Sequence, residues 1–285
     1  MSNGDAWVIE RFGDEGSAIG LAVEAKLHEE QSEFQKIEIY QSRSYGKVML
    51  IDGCFMLSER DHFIYHEMIT HPALFSHPAP RRVAIIGCGD CGTLTEVLKH
   101  RGVEQAWQIE IDERVTRVSE QYFPELCGSN GDPRAQLLFA DGIAWMRERP
   151  ADSLDVIIID STDPVGPAAG LFHPDFYRDC HRALGAQGVL VQQSESPLFH
   201  AGSIIRGVHD GLAQVGFSSR RTLTFPLTIY PSGWWSVTLG GQGVTLAETG
   251  PARFDELGID TRYYTPQIHQ AAGVLPRFVR EALAQ

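Results

Sequence analysis

No stretch of this 285-residue chain is apolar over the length that a bilayer crossing requires, so a membrane-spanning role is not expected. Positive charge is also scarce. Lys and Arg number 24 against 37 Asp and Glu, for a net charge of -13, which argues against nucleic acid or an anionic membrane surface as a partner. The opening Met1-Ser2-Asn3-Gly4-Asp5 has neither the basic start nor the apolar run of a signal peptide. Cysteine is sparse and odd in number. Cys54, Cys88, Cys91, Cys127 and Cys180 form no disulfide framework, and a reducing, cytoplasmic setting is expected. Cys88 and Cys91 make a C-x-x-C with no second such pair, which argues against a zinc site. They read as two small residues at a tight turn, with a redox switch as the minor alternative. The G-x-S-x-G of a hydrolase elbow is missing. His66, His71 and His77 lack the spacing of a metal-binding pair, and no metal is expected. They are expected as caps or exposed residues, His66 excepted. There is no internal repeat and no low-complexity segment.

What is present centres on Arg82 to Glu96. The apolar run Val83-Ala84-Ile85-Ile86 meets Gly87-Cys88-Gly89-Asp90-Cys91-Gly92, and Leu94, Val97 and Leu98 then recur at helical spacing. This reads as strand, tight turn and helix start. Gly87, Gly89 and Gly92 have nucleotide-loop spacing, a weak signal alone. Asp90 sharpens it. A pyrophosphate wants unopposed N–H groups, and a carboxylate in the loop would repel it by roughly 4 kcal/mol at 4 Å and an effective dielectric near 20. The same carboxylate attracts an ammonium or sulfonium. The loop therefore suits a cationic nucleoside of the S-adenosylmethionine kind better than a dinucleotide, the bland alternative being a turn with Asp90 as a local cap.

At 43% hydrophobic, the chain can bury a full core, and one large domain plus a small one is the natural division. Residues 1–60 read as a small antiparallel β domain. Phe34, Ile37, Ile39 and Tyr40 lie on one extended run, Tyr45 to Gly53 forms strand and turn, and no helical crossover separates them. Residues 61–285 change texture. After a helix containing Phe63, Ile64, Tyr65, Met68 and Ile69, strands and helices alternate. The later strands are Ala106–Asp112, Ala135–Ala140, Leu154–Asp160, Gly188–Gln193 and Ser236–Leu239. This is the pattern of an α/β, Rossmann-like, doubly wound parallel sheet.

In such sheets ligands bind beyond the carboxyl ends of the strands. Here those ends carry Asp90, then Glu110 and Asp112, then Asp141 beside Gly142, then Asp160 and Asp163. Like charges gathered in one cleft are costly unless a cation is bound. Glu110 stands about where a ribose-hydroxyl acceptor belongs, ~20 residues past the glycine loop. Asp141 could accept from an adenine amino group or simply cap a turn, and Asp112 reads as a helix cap. The Pro- and Gly-rich segment after Asp160 is a candidate lid. Glu195 follows the fifth strand. Tyr230, Trp234 and Trp235 are apt walls for a hydrocarbon with ammonium ends, or else core filling.

Taken with Ser32-Glu33-Phe34-Gln35, Glu59-Arg60-Asp61, Tyr65-His66-Glu67-Met68, Glu110-Ile111-Asp112, Asp160-Ser161-Thr162-Asp163-Pro164, Gln193-Ser194-Glu195-Ser196 and Tyr230-Pro231-Ser232-Gly233, the chain resembles the spermidine synthases, the polyamine aminopropyltransferase family, over nearly its whole length. The resemblance implies transfer of an aminopropyl group from decarboxylated S-adenosylmethionine to putrescine, giving spermidine and 5'-methylthioadenosine. It implies that no cofactor is needed, the donor being a co-substrate. Asp160 would be the base and Tyr65 would hold the attacking amine. Gln35, His66, Gly87, Gly89, Asp90, Glu110, Asp141, Gly142 and Pro167 would bind the donor. Trp7, Tyr65, Asp163, Glu195 and Tyr230 would line the acceptor channel, and residues 161–173 would be the gatekeeping loop. Small cationic substrates and a homodimer or homotetramer complete what the resemblance implies.

The chain departs from the family at Cys88 and Cys91, where relatives carry glycine, and at Met56, where they carry glutamine. If Cys88 or Cys91 needs positive φ, each is strained by about 1 kcal/mol or more. Agmatine, cadaverine and spermidine stay open as acceptors. Two rival functions remain: a methyltransferase using intact S-adenosylmethionine, and a non-catalytic polyamine-binding protein that has kept the fold.

Overall fold

The structure, a computed structural model, describes residues 6–13, 15–164, 166–246 and 251–284. Two sheets organise it. The first is a five-stranded antiparallel meander of β1 (Ala6–Phe12), β2 (Ser17–Gln31), β3 (Lys36–Ser42), β4 (Lys47–Ile51) and β5 (Cys54–Ser58), paired in chain order. The second has seven strands: β6 (Arg82–Gly87), β7 (Gln105–Glu110), β8 (Ala135–Phe139), β9 (Leu154–Asp160), β10 (Leu184–Gln193), β11 (Ser219–Pro226) and β12 (Trp234–Gly241). Their spatial order is β11-β12-β10-β9-β6-β7-β8. The five strands from β10 to β8 run parallel, and β12 and β11 close one edge antiparallel.

The parallel strands are apolar on both faces because each face is covered. Along β9, Val156 and Ile158 join one core with Val83, Ile85, Val189 and Val191, while Ile157 and Ile159 join the other with Ala84, Ile86 and Leu190. The first core is covered by α1 (His62–Ser76) and α2 (Gly92–Leu98), the second by α4 (Gly142–Arg147) and α5 (Pro174–Ala183). The helix α3 (Glu113–Tyr122) faces the small sheet instead: Val115 and Val118 pack with Ile37, Ile39, Met49 and Leu57. Burying a residue of that size contributes about 1.5–3 kcal/mol, so this contact sets the small sheet firmly over the loop at the end of β6.

Two elements lacked a clear signal. β11 carries Arg220, Arg221, Thr222 and Thr224 among its apolar residues, a polar edge pattern that reads weakly as strand. The segment expected as an irregular lid contains a 3-10 helix, Gly166–Phe172, with Ala168 and Leu171 buried in the second core. His77 is the C-cap of α1, whereas His71 is neither cap nor exposed. It is fully buried, with Nδ1 3.0 Å from His100 Nε2 and Nε2 3.1 Å from Glu96 Oε2. No helix of the described residues is long and apolar enough to cross a membrane.

Candidate active site

The carboxyl ends of β6, β7 and β9 open into a cavity of about 300 Å³, roofed by β1, β4 and β5 of the small sheet. Glu10, Asp52, Asp90, Glu110, Asp141, Asp160 and Asp163 line it, and no Lys, Arg or His does among the described residues. Apolar walls come from Ile109, Val115, Leu171, Tyr230 and Trp235.

The loop after β6 is built for close approach. Gly87 has φ +91°, and a Cβ there would lie 2.0 Å from the Asp160 carbonyl oxygen. A Cβ on Gly92 would fall 2.2 Å from the His66 ring. Cys88 and Cys91 both have positive φ, 61° and 68°, the left-handed region that costs a non-glycine residue about 1 kcal/mol or more. The turn is held by Cys88 N–H donating to the Asp160 carbonyl (2.9 Å) and Cys91 N–H donating to the Cys88 carbonyl (2.9 Å).

Asp90 stands at the tip of that loop. Its Oδ1 accepts from Gly92 N (2.8 Å), and its Oδ2 lies 3.2 Å from His66 Nε2. Burial works against its charge, but the charge of His66, its hydrogen bond and the Gly92 amide outweigh burial and hold the carboxyl at about 2. Burial likewise opposes charge on His66, and Asp90 more than offsets it, raising the imidazole. His66 itself does not line the cavity. It is buried behind Asp90, so its reach to a ligand runs through that carboxylate.

Asp160, the last residue of β9, accepts from Tyr65 Oη at Oδ1 (2.7 Å) and from Thr93 Oγ1 at Oδ2 (2.6 Å). Burial and the nearby Asp90 raise its carboxyl, against the pull of His66 and the two hydroxyls. Burial and Asp160 push the Tyr65 phenol up, so it stays a donor. Thr93 was missed by the sequence reading. It is the second residue of α2, and only the closeness of α2 to β9 brings it to Asp160.

Glu110 ends β7, with Oε1 accepting from Asp112 N (2.8 Å). Burial raises it to about 7, with the Asp112 amide opposing. Asp112 is the expected cap, accepting from Arg114 N, and it also accepts from Ser32 Oγ (2.6 Å) and Gln35 Nε2 (3.0 Å). Gln35 thus lines the cavity with its amide nitrogen already engaged. Asp141 caps α4 through the amides of Ile143 and Ala144 and lines the cavity as well, so the two readings of it are compatible. Gly87, Gly89 and Gly142 all line the cavity. The side chain of Pro167 lies outside the described residues.

At the opposite end Asp163, Tyr65 and Tyr230 line the cavity, the two tyrosine rings 5.9 Å apart. Tyr230 Oη donates to the Met56 carbonyl (2.7 Å), so the unusual residue at 56 serves through its backbone. Trp235 lines this end with its ring 4.7 Å from that of Tyr230, while Trp234 packs against Phe278.

Two expected acceptor residues are not on the wall. Glu195 is buried behind Asp163, hydrogen-bonded to it and raised well above the usual carboxylate range by burial and by that neighbour's charge. Trp7 is 58% exposed. Successive strand residues point to opposite faces, and Trp7 and Ile9 share the outward face of β1. The residue that β1 sends inward is Glu10, which the sequence reading missed. It accepts from Phe55 N (2.7 Å), and burial lifts it to about 7, the Phe55 amide opposing and Asp163 adding to the rise. No local motif marks Glu10. Only the register of β1 on β2 and the Phe55 amide reveal it.

Known proteins match this chain in sequence and fold. Residues 62–248 match the Spermine/spermidine synthase domain, and residues 6–59 match the Spermidine synthase tetramerisation domain. The polyamine aminopropyltransferase of Methylococcus capsulatus is 57% identical over 100% of this chain and 99% of its own. That of Halorhodospira halophila is 53% identical over 97% of this chain and 99% of its own. Two crystal structures superimpose closely at 34% identity. A spermidine synthase in complex with the transition-state analogue AdoDATO has a TM-score of 0.94, covering 98% of this chain and 95% of its own. The spermidine synthase of Thermotoga maritima has a TM-score of 0.93, covering 100% and 96%. An anionic cavity with no basic group on its described walls, set on this fold and matched across both domains, makes the chain a member of the spermine/spermidine synthase family, an aminopropyltransferase.

Proposed function

We propose that the enzyme moves the aminopropyl group of decarboxylated S-adenosylmethionine onto putrescine, releasing spermidine and 5'-methylthioadenosine, without a cofactor. The observation that carries this reading is the seven-carboxylate lining with no cation on the described walls. Both substrates are positively charged, and each is drawn to such a site. Intact S-adenosylmethionine would bring a carboxylate against Asp90, which remains ionised down to about pH 2. This disfavours a methyltransferase.

In this reading Asp90 binds the donor's primary ammonium. Glu110 accepts from the ribose hydroxyls, Asp141 from the adenine amino group, and Gly87, Gly89 and Gly142 leave room for the nucleoside. Asp163, with Glu10 and Glu195 around it, holds the far ammonium of the diamine beside the Tyr230 and Trp235 rings. The near amine arrives protonated, its ordinary value being close to that of lysine, ~10.4. Asp160 takes that proton, and the freed lone pair attacks the carbon beside the sulfonium. The new C–N bond forms as the C–S bond breaks, and the sulfur leaves as a neutral thioether. A leaving group that departs neutral needs no acid. A raised, buried carboxyl is a better proton acceptor than an ordinary one, and holding carbon and nitrogen in line supplies part of roughly 7–11 kcal/mol.

A homodimer or homotetramer fits the match to the tetramerisation domain, and the outward Trp7 and Ile9 of β1 supply an apolar face for it. Five free thiols fit a cytoplasmic location. The test is an acceptor panel of putrescine, cadaverine, agmatine and spermidine with each donor in turn, reading methylthioadenosine release. Turnover highest with putrescine and the decarboxylated donor is expected. Preference for the intact donor, or diamine binding without product, would overturn the proposal.

A further inference from the structure

We infer that Cys91 and Cys127 form a thiol-modification site beneath the loop carrying Asp90, one that takes low-molecular-weight disulfides and closes into an internal Cys91–Cys127 disulfide. The C-x-x-C pattern would pair Cys88 with Cys91, but the fold turns these sulfurs to different partners. Cys88 Sγ accepts from Thr93 N (3.3 Å) and lies 3.5 Å from Asp90 Oδ1. The thiol that meets Cys91 is that of Cys127, 36 residues on, which hydrogen-bonds to the Cys91 sulfur and also lies 3.6 Å from the Asp90 carbonyl oxygen.

The Cys91 thiol lies 3.8 Å from the Gly89 carbonyl, to which it donates, and its sulfur in turn accepts from neighbouring amides. Gln108 Nε2 donates to Cys91 Sγ (3.4 Å), and a second bond from that nitrogen to the Cys88 carbonyl (2.8 Å) fixes which way the amide points. Asn130 also hydrogen-bonds the sulfur. The oxygens of both amides, Gln108 Oε1 and Asn130 Oδ1, are buried without a partner. An unpaired buried amide oxygen costs about 1–3 kcal/mol. Gln108 is thereby turned to present N–H to the sulfur, while Asn130 Nδ2 also donates to Glu120 Oε1 (3.1 Å). Donation from Cys127, Gln108 and Asn130 holds the Cys91 thiol below its ordinary range against burial, while the bond to Cys91 and burial push the Cys127 thiol up. Cys91 is fully buried and Cys127 partly exposed, so a reagent enters at Cys127.

The chemistry balances with the reagent disulfide as oxidant. Cys127, the sulfur a reagent can reach, gives up its proton to solvent, and its thiolate attacks one sulfur of the reagent, expelling one small thiolate. That thiolate takes the proton from Cys91. The Cys91 thiolate then attacks the Cys127 sulfur and expels the second small thiolate. Two protein sulfurs are oxidised, and one disulfide is reduced to two thiols.

The effect on turnover rests on the donor-site reading above, whereas the existence of the dithiol does not. Cys91 directly follows Asp90, and closing the bond removes the Cys127 contact to the Asp90 carbonyl. It also pulls the 88–92 turn toward the 123–130 segment. Asp90 is then displaced from Gly92 N and His66, and the donor's ammonium loses its partner.

The full-length reduced protein, treated with glutathione disulfide, would be mapped by non-reducing peptide mass spectrometry and assayed before and after. We expect a Cys91–Cys127 cross-link, a donor KM raised at least tenfold, and reversal by dithiothreitol. Cys127→Ala, or Cys127→Ser if the alanine variant does not fold, should keep its donor KM after the same treatment. Cys91 and Cys127 unlinked while other cysteines are modified, a cross-link with unchanged donor KM, or equal loss in the Cys127 variant would each overturn the inference. Absence of aminopropyl transfer in the reduced protein would instead remove the donor-site reading, and the peptide map would still decide the dithiol.

Discussion

Replacing Glu110 by Gln tests whether this site exchanges stability for donor affinity. Glu110 is buried at the end of β7, and its carboxyl is lifted from 4.5 to about 7. Because the folded chain holds this proton more tightly than the unfolded one, ionising Glu110 destabilises the fold. The cost is absent below about pH 4.5, grows between 4.5 and 7, and is complete above 7. At 1.36 kcal/mol for each tenfold change in proton affinity, it reaches at most about 3 kcal/mol. Glutamine keeps the oxygen that accepts from Asp112 N (2.8 Å) and removes the charge. Glu110→Gln should therefore be more stable than the parent at pH 8, by up to about 3 kcal/mol, or about 2–4 °C in Tm per kcal/mol for a chain of this size class. The two should unfold alike at pH 4. Donor affinity should move the other way. Losing a charged acceptor for the ribose hydroxyls should weaken binding by about 10–100-fold, since hydrogen bonds to charged groups are worth about 1.5–3 kcal/mol. The donor kcat/KM of the parent should rise with pH to a break near 7, and the variant should lose that break. Calorimetric unfolding at the two pH values, a donor titration and a pH profile of donor kcat/KM read all three. A variant no more stable at pH 8, or one whose donor affinity is unchanged, would refute the reasoning.

Asp160→Asn removes the proposed base while leaving an oxygen for Tyr65 Oη, so kcat should fall about 10²–10⁴-fold with donor affinity within a few-fold. A rate within tenfold of the parent would remove Asp160 from that role. Glu10→Gln should raise the KM for the diamine about tenfold or more and leave the donor KM alone, because Glu10 lies at the acceptor end beside Asp163; equal effects on both KM values would contradict that placement. Gly87→Ala puts a Cβ 2.0 Å from the Asp160 carbonyl at a φ of +91°. It should lower stability by about 3 kcal/mol or more and abolish turnover, which thermal unfolding and the transfer assay would check. Glu67 accepts from the amides of Arg262 (2.8 Å), Tyr263 (2.8 Å) and Tyr264 (2.7 Å). Glu67→Ala leaves these donors without their acceptor and should cost about 3–5 kcal/mol, seen as early exchange of those three amides.

Much of this architecture is written in local pattern. The two-faced apolar run of Leu154–Asp160 marks a covered parallel strand, and the strand-end acids Asp90, Glu110, Asp141 and Asp160 follow from counting along the chain, because sheets of this kind present every strand end to one rim. Asp112 as a cap and Asp163 on the wall were equally legible. Other features depend on which residues the packing brings opposite one another. Trp7 and Glu10 are three apart on one strand, so pleat parity puts one outside and the other in the cavity. The sequence carries the alternation but not which face the large domain will cover. Thr93 reaches Asp160, Glu195 retreats behind Asp163, and Cys91 meets Cys127 rather than Cys88 because sulfur and hydroxyl partners are chosen by the approach of separate elements. Charge state belongs to this second class too. Asp90 and Glu110 are both acids after a strand, yet one is held at about 2 by a histidine and an amide while burial lifts the other to about 7. The alternation of strands and helices along the chain and the rim of acids were set by periodicity within the chain; the order of strands in the sheet, which acid is charged, and what it faces were decided by packing, burial and neighbours that exist only once the chain has folded.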